Sequence, residues 1–115
     1  MGFKAVDYRD VPQEAVAEEG AKGTRIRWLI GKGDGASNFA MRHFEVEPGG
    51  HSPYHEHPWE HEVFVLKGRC RVTRGDEEAL VGPGGVIFVP GGEEHNFENV
   101  GEDNLEFLCV IPIVD

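Results

Sequence analysis

Apolar residues recur at every second position through most of this chain, in short runs bounded by glycine, proline and acidic residues. Thr24-Arg25-Ile26-Arg27-Trp28-Leu29-Ile30 puts Thr24, Ile26, Trp28 and Ile30 on one face and predicts a first clear strand, ended by GKGDGAS. Asn38 to Glu47 alternates in the same way, and Pro48-Gly49-Gly50 predicts a break after it. Val63 to Leu66, Arg69 to Thr73, Val86 to Val89 and Leu105 to Val110 predict further strands, with turns such as GPGG at 82–85 and GG at 91–92. Ahead of the first strand, Asp10-Val11-Pro12-Gln13-Glu14-Ala15 offers a cap and a proline for one short helix. Glu18-Glu19, Asp76-Glu77-Glu78 and Glu93-Glu94 read as solvated turns. Many short strands at this spacing predict an all-β protein whose sheet closes or stacks to remove its edges.

Composition narrows the class. A chain of 115 residues, 39% hydrophobic and 28% charged, suits one domain able to bury a core without disulfide staples. With 21 acidic against 11 basic residues, the formal charge of −10 repels phosphate backbones and anionic headgroups, so neither nucleic acid nor membrane is an expected partner. The first residues, MGFKAVDYRD, carry no apolar segment with a cleavage site, and no window is long and apolar enough to span a bilayer, so the expected location is cytoplasmic. Cys70 and Cys109 form no CxxC and are expected to be free thiols.

Six histidines stand at 43, 51, 55, 57, 61 and 95. If the segment around them is extended, His55, His57 and His61 point to the same side, together with Val63 and Val65. Alternate imidazoles on one face can converge on a metal ion. His95 follows a Pro90-Gly91-Gly92 turn that can aim it back at the cluster. His43, alternating with Glu45 and Glu47, is expected on a solvated or subunit-facing surface, and His51 in a turn.

Gly49-x5-His55-x-His57-x3-position 61-x6-Gly68 and Gly84-x5-Pro90-x-Gly92-x2-His95-x3-Asn99 resemble the two motifs of the cupins, G-x5-H-x-H-x3,4-E-x6-G and G-x5-P-x-G-x2-H-x3-N. The resemblance implies a double-stranded β-helix, or jelly-roll, barrel over residues 1–115, with motifs at 49–68 and 84–99. Residues 1–23 would then be an extension or dimer arm. It also implies a divalent metal held by His55, His57, the residue at 61 and His95. The family's usual glutamate is replaced by His61. Glu62 is the rival ligand under the looser spacing, but it shares the face of Phe64 and Leu66, whereas His61 shares that of His57. HPWEHEVFVLKG, NFAMR and FLCVIP further resemble small monocupins that bind manganese through four histidines. Ligand chemistry alone leaves iron, zinc, nickel, copper and cobalt open.

Parity nominates the surroundings of such an ion. Phe107 and Cys109 share the inward face of the last strand, opposite Glu106. Arg42 lies with Ala40, Phe44 and Val46, an unusual place for a permanent charge unless it meets a partner or an anionic substrate. Arg42 and Cys109 are therefore the candidates for direct participation, and Phe107 and Trp59 for the substrate pocket. Four neutral imidazoles would leave a divalent ion's full charge, favouring a small anionic substrate. The expected function is a manganese- or iron-dependent, dioxygenase-like oxidoreductase. A non-redox isomerase or decarboxylase, or a non-catalytic small-molecule or metal-binding module, is the alternative. Apolar residues on both faces of Phe39 to Val46 suggest a homodimer.

Overall fold

The protein is described by a computed structural model covering residues 2–113. Within these residues nine strands form one antiparallel sheet: β1 (Glu14–Ala15), β2 (Lys22–Ile30), β3 (Phe39–His51), β4 (His61–Lys67), β5 (Cys70–Arg74), β6 (Glu77–Val81), β7 (Val86–Val89), β8 (His95–Asn99) and β9 (Leu105–Pro112). Their order is β6-β5-β8-β3-β9-β4-β7, with β2 also paired to β3 and β1 to β2. The sheet curls into a nearly closed barrel. No helix among the described residues is long and apolar enough to cross a membrane.

β3 links the two halves of the barrel. From Phe39 to Val46 it pairs with β9 on one side and β2 on the other, and at His51 it reaches Glu98 of β8. The expected break at Pro48-Gly49-Gly50 is therefore absent; the strand bends there and continues. The bend shows as a register shift, since Thr24 faces Val46 while Lys22 faces His51. Gly50 makes it possible, because a Cβ there would stand 2.6 Å from the Lys22 carbonyl oxygen.

Alternation sets the core. Inward residues of β4 (Val63, Val65), β9 (Leu105, Phe107, Cys109) and β3 (Ala40, Val46) are buried together with Cys70, Val89 and Phe97. Phe44 and Phe107 stack across the β3–β9 pair at 5.1 Å. The buried Asn99 side chain bonds the carbonyls of Val46 and Asp103 (2.8 Å each) and accepts from the Gly101 N–H (2.9 Å), fixing the turn from β8 to β9. Cys70 and Cys109 are both free and buried.

Several sequence expectations need correction. No helix forms over residues 10–15: a single 3-10 turn at Tyr8–Asp10 is followed by β1, whose residues pair with Arg25 and Ile26. The open edge of β2 offers hydrogen bonds that a one-turn helix, with its nucleation cost, cannot match. Asp76-Glu77-Glu78 is not only a turn, since Glu77 and Glu78 begin β6; the strand's exposed, acidic first two residues masked it. Trp28 and Ile30 keep the parity of Thr24 and Ile26 but are 47% and 39% exposed, beyond the packed part of the barrel. His43 is buried, not solvated: Tyr8 lies 4.8 Å from its ring, and its Nε2 is 3.0 Å from Glu106 Oε1. The chain's own N-terminal segment thus covers part of the β3 face expected to meet solvent or a second subunit.

Candidate metal centre

Four of the six histidines gather inside the barrel, two of them at the start of a strand and two on a loop. His61 opens β4 and is buried by that strand's alternation. His95 opens β8, 1% exposed. The segment 52–60 between β3 and β4 is a loop, not the continuous strand assumed for the spacing. His55 alone is bridged, its N–H donating to the His95 carbonyl at 3.1 Å and its carbonyl accepting from the His95 N–H at 2.9 Å. Ser52 laces the same loop to β8: its N–H donates to the Phe97 carbonyl, and its Oγ accepts from the Phe97 N–H, both at 2.9 Å. His57 follows, and its carbonyl accepts from Gly92 N–H at 2.6 Å. The turn of the second motif rests on the first at Gly91, where a Cβ would stand 2.4 Å from the Pro58 carbonyl oxygen.

Ring centroids lie 4.2 Å apart for His55 and His57, 5.4 Å for His57 and His61, 4.8 Å for His61 and His95, and 5.4 Å for His55 and His95. His55 Nδ1 meets Glu18 Oε2 at 2.7 Å, His95 Nδ1 donates to the Glu93 carbonyl at 2.9 Å, and His61 Nδ1 is 3.3 Å from Cys109 Sγ. The Nε2 atoms are left over. Those of His61 and His95 are buried with no hydrogen-bond partner among the described residues, and those of His55 and His57 lie 3.2 Å apart. Among the described residues no three or more His, Cys, Asp or Glu side chains already form a ligand set. Burial, reinforced by neighbouring histidines, pushes His57 down to about 4 and His61 down to about 3, and burial lowers His95 as well. At neutral pH these three rings are uncharged and have lone pairs to offer.

The remaining predicted residues surround this cluster. Arg42 Nη2 donates to Cys109 Sγ at 3.0 Å and lies 3.5 Å from His61 Nδ1. Its guanidinium stands 4.9 Å from the Phe44 ring and 5.5 Å from that of Trp28, so aromatic faces take the place of a carboxylate partner. Burial raises the Cys109 thiol, with Arg42 opposing in part, which keeps it protonated. Trp59 stacks on His57 with centroids 4.4 Å apart and planes within 7°. These groups, with Phe107, line a cavity of about 520 Å³.

Glu62 points away from the cluster, exposed beside Glu60; a hydrogen bond with Glu60 first, then partial burial and the like charge of Glu60, raise its carboxyl. His51 stays apart, its Nδ1 3.2 Å from the Ser52 carbonyl. Sequence reasoning missed Glu18, which it placed in a solvated turn, and the contribution of residues 14–18 to the cavity wall. Nothing in local patterning announces a contact between residues 37 positions apart.

Residues 42–111 match the cupin domain family. Among solved structures, the polyketide cyclase RemF from Streptomyces resistomycificus superposes with a TM-score of 0.90 at 43% identity, over 96% of this chain and 80% of that one. The curated 1-methylthio-D-xylulose 5-phosphate methylsulfurylase of Rhodospirillum rubrum is 35% identical over 99 residues, 84% of this chain and 63% of the relative. The oxalate-binding protein of Thermotoga maritima is 34% identical over 68 residues, 58% of this chain and 56% of the relative. The matched region thus spans less than two thirds of each of these two curated relatives.

Proposed function

The chain belongs to the cupin domain family, and we propose that it is a divalent-metal enzyme acting without net redox change on a carbonyl-rich, largely apolar substrate with one anionic end. The observation that carries this reading is the pair of buried, unpartnered Nε2 atoms of His61 and His95 beside His55 and His57. An unmet buried acceptor is costly, and a cation relieves it. The 3.2 Å between His55 and His57 Nε2 suits adjacent ligands of one ion, for which metal–nitrogen bonds of about 2.1 Å give about 3.0–3.4 Å. His55, His57, His61 and His95 would hold the ion. Bound there, it would supply an uncompensated double charge as a Lewis acid toward a substrate oxygen.

The rest of the chemistry belongs to the chain. Arg42 receives the anionic end, because it lines the cavity and, among the described residues, has no carboxylate paired to it. Trp59, Phe44 and Phe107 offer flat apolar faces and exclude water. Cys109, held neutral, accepts from His61 Nδ1–H and leaves that ring's Nε2 lone pair free. The 43% identity to a polyketide cyclase supports a substrate with several carbonyls and a ring-closing or proton-transfer reaction. Four neutral ligands also disfavour a trivalent ion, which weighs against the dioxygenase-like expectation.

The test is deuterium exchange at the activated methylene of an aryl 1,3-dicarbonyl acid, under argon, with zinc- or manganese-loaded protein. Exchange that needs metal, survives without oxygen and falls in Arg42→Gln supports the proposal. Substrate consumed only in air would replace it with the oxygenase reading. Tight binding with neither exchange nor consumption would leave a binding module.

A further inference from the structure

We propose that Glu18 is a positioning residue for this centre, which fixes His55 and couples occupancy of the site to the N-terminal segment that walls the cavity. The inference rests on the four-histidine reading above and assigns a role to a residue outside both sequence motifs. Glu18 Oε2 is 2.7 Å from His55 Nδ1, a distance that requires a proton between them. With Nδ1 as the donor, the Nε2 lone pair of His55 is turned toward His57 Nε2. A carboxylate on the far nitrogen of a ligating imidazole fixes its tautomer and orientation and raises its basicity. His55 needs this help more than its neighbours, since its side chain is 24% exposed while His61 and His95 are buried.

Glu18 is also part of the wall. Residues 14–18 line the cavity, held by the pairing of β1 with β2, by Val16 N–H donating to the Thr24 carbonyl at 2.9 Å, and by Ala21 N–H donating to the Glu18 carbonyl at 3.1 Å. One carboxylate therefore joins the wall to the ligand set. A metal that requires His55 to present Nε2 stabilises the Glu18 contact and with it the segment. By reciprocity an ordered segment tightens the metal.

The experiment uses the full chain with Mn²⁺ and Zn²⁺ as probes. Isothermal titration should show Glu18→Ala binding each metal about 10–100-fold more weakly than wild type. Glu18→Gln, whose side-chain oxygen can still accept from Nδ1–H, should recover most of the loss. In metal-free protein at pH 8, long-range ¹⁵N correlation spectra should show His55 protonated at Nδ1 in wild type and Glu18→Gln, and mixed in Glu18→Ala. Hydrogen exchange over residues 14–20 should slow on metal addition in wild type and not in Glu18→Ala. Far-UV circular dichroism checks the fold of each variant, and Glu18, 52% exposed, is a tolerant position. Equal metal affinity in wild type and Glu18→Ala overturns the assignment whatever the tautomer. A wild type that takes up no metal overturns the four-histidine reading first, and this inference with it.

Discussion

His61 and Glu62 are neighbours in sequence with opposite surroundings. His61 is 4% exposed, its ring in the cluster and its Nε2 unpartnered, while Glu62 faces water beside Glu60. If His61 is a ligand, His61→Ala should weaken Mn²⁺ binding by more than about 100-fold, beyond the 10–100-fold typical of outer partners. Glu62→Ala should leave it unchanged. Titration calorimetry of both variants decides the matter, and a loss on Glu62→Ala alone would reverse the assignment. This distinction was legible in the sequence because β4 is regular from His61 onward, so parity transfers directly from residue number to face. The same holds for Phe107 and Cys109 in β9. Parity put His43 on the correct, outer face of β3, but the exposure expected there does not hold. What it could not supply was the N-terminal segment lying over that face, with Tyr8 against the ring.

Between elements, two contacts decide whether the site assembles. The Pro-Gly-Gly turn before β8 lies directly on the loop that carries His57, and Gly91 has backbone, not a flexible side chain, in the space a Cβ would need. Gly91→Ala should therefore separate the loop from β8, costing about 1–3 kcal/mol of stability and more than tenfold in metal affinity. Urea melts with metal titration test it; an unperturbed variant would mean that the turn yields without moving His57. The second contact ties the N-terminal segment to β3. Gln13 Nε2 donates to Glu45 Oε1 at 3.0 Å and Asn104 Nδ2 to Glu45 Oε2 at 2.8 Å, and these bonds, Gln13's first, hold the Glu45 carboxyl below its usual 4.5. A carboxyl lowered in the folded state stabilises above its unfolded value and loses that contribution as pH falls through the folded one. Wild type should thus exceed Glu45→Ala in stability by about 0.5–1 kcal/mol near pH 7, after screening at this partly exposed site. The gap should narrow as the pH falls below the usual carboxyl value of 4.5 and through the lowered folded one, seen as converging urea midpoints; a gap that is constant with pH would remove the ionised carboxylate from the account. Elements of this kind were the least legible. β1 is two residues long and exists only because β2 has a free edge, and β6 is masked by its exposed, acidic first two residues.

At the scale of the whole molecule, the candidate ligands tie together parts of the chain that share no local structure: the loop at 55–57, the start of β4 and the start of β8. Alternation and turn residues made a closed or stacked all-β sheet readable, and the barrel itself was implied by the resemblance of the two motifs to those of the cupins. The candidate centre was readable only as a list of residues, since their convergence depends on Ser52 and the His55–His95 bridge, which spacing does not encode. That bridge lies at the seam between the loop and β8, so the metal-free protein carries unmet imidazole nitrogens at a junction of the fold. A ligand that binds only the folded state stabilises it by RT ln(1 + [L]/Kd), about 4 kcal/mol at a thousandfold excess over Kd. For a domain of this size, that corresponds to a shift in Tm on the order of 10–20 °C. Calorimetry of protein as purified, after exhaustive chelation, and after return of Mn²⁺ should show a fall of this order and its recovery. In His61→Ala the three scans should coincide. If chelation removes one metal per chain and the wild-type Tm does not move, the ion cannot be bridging these segments, and the metal site must lie elsewhere on the chain.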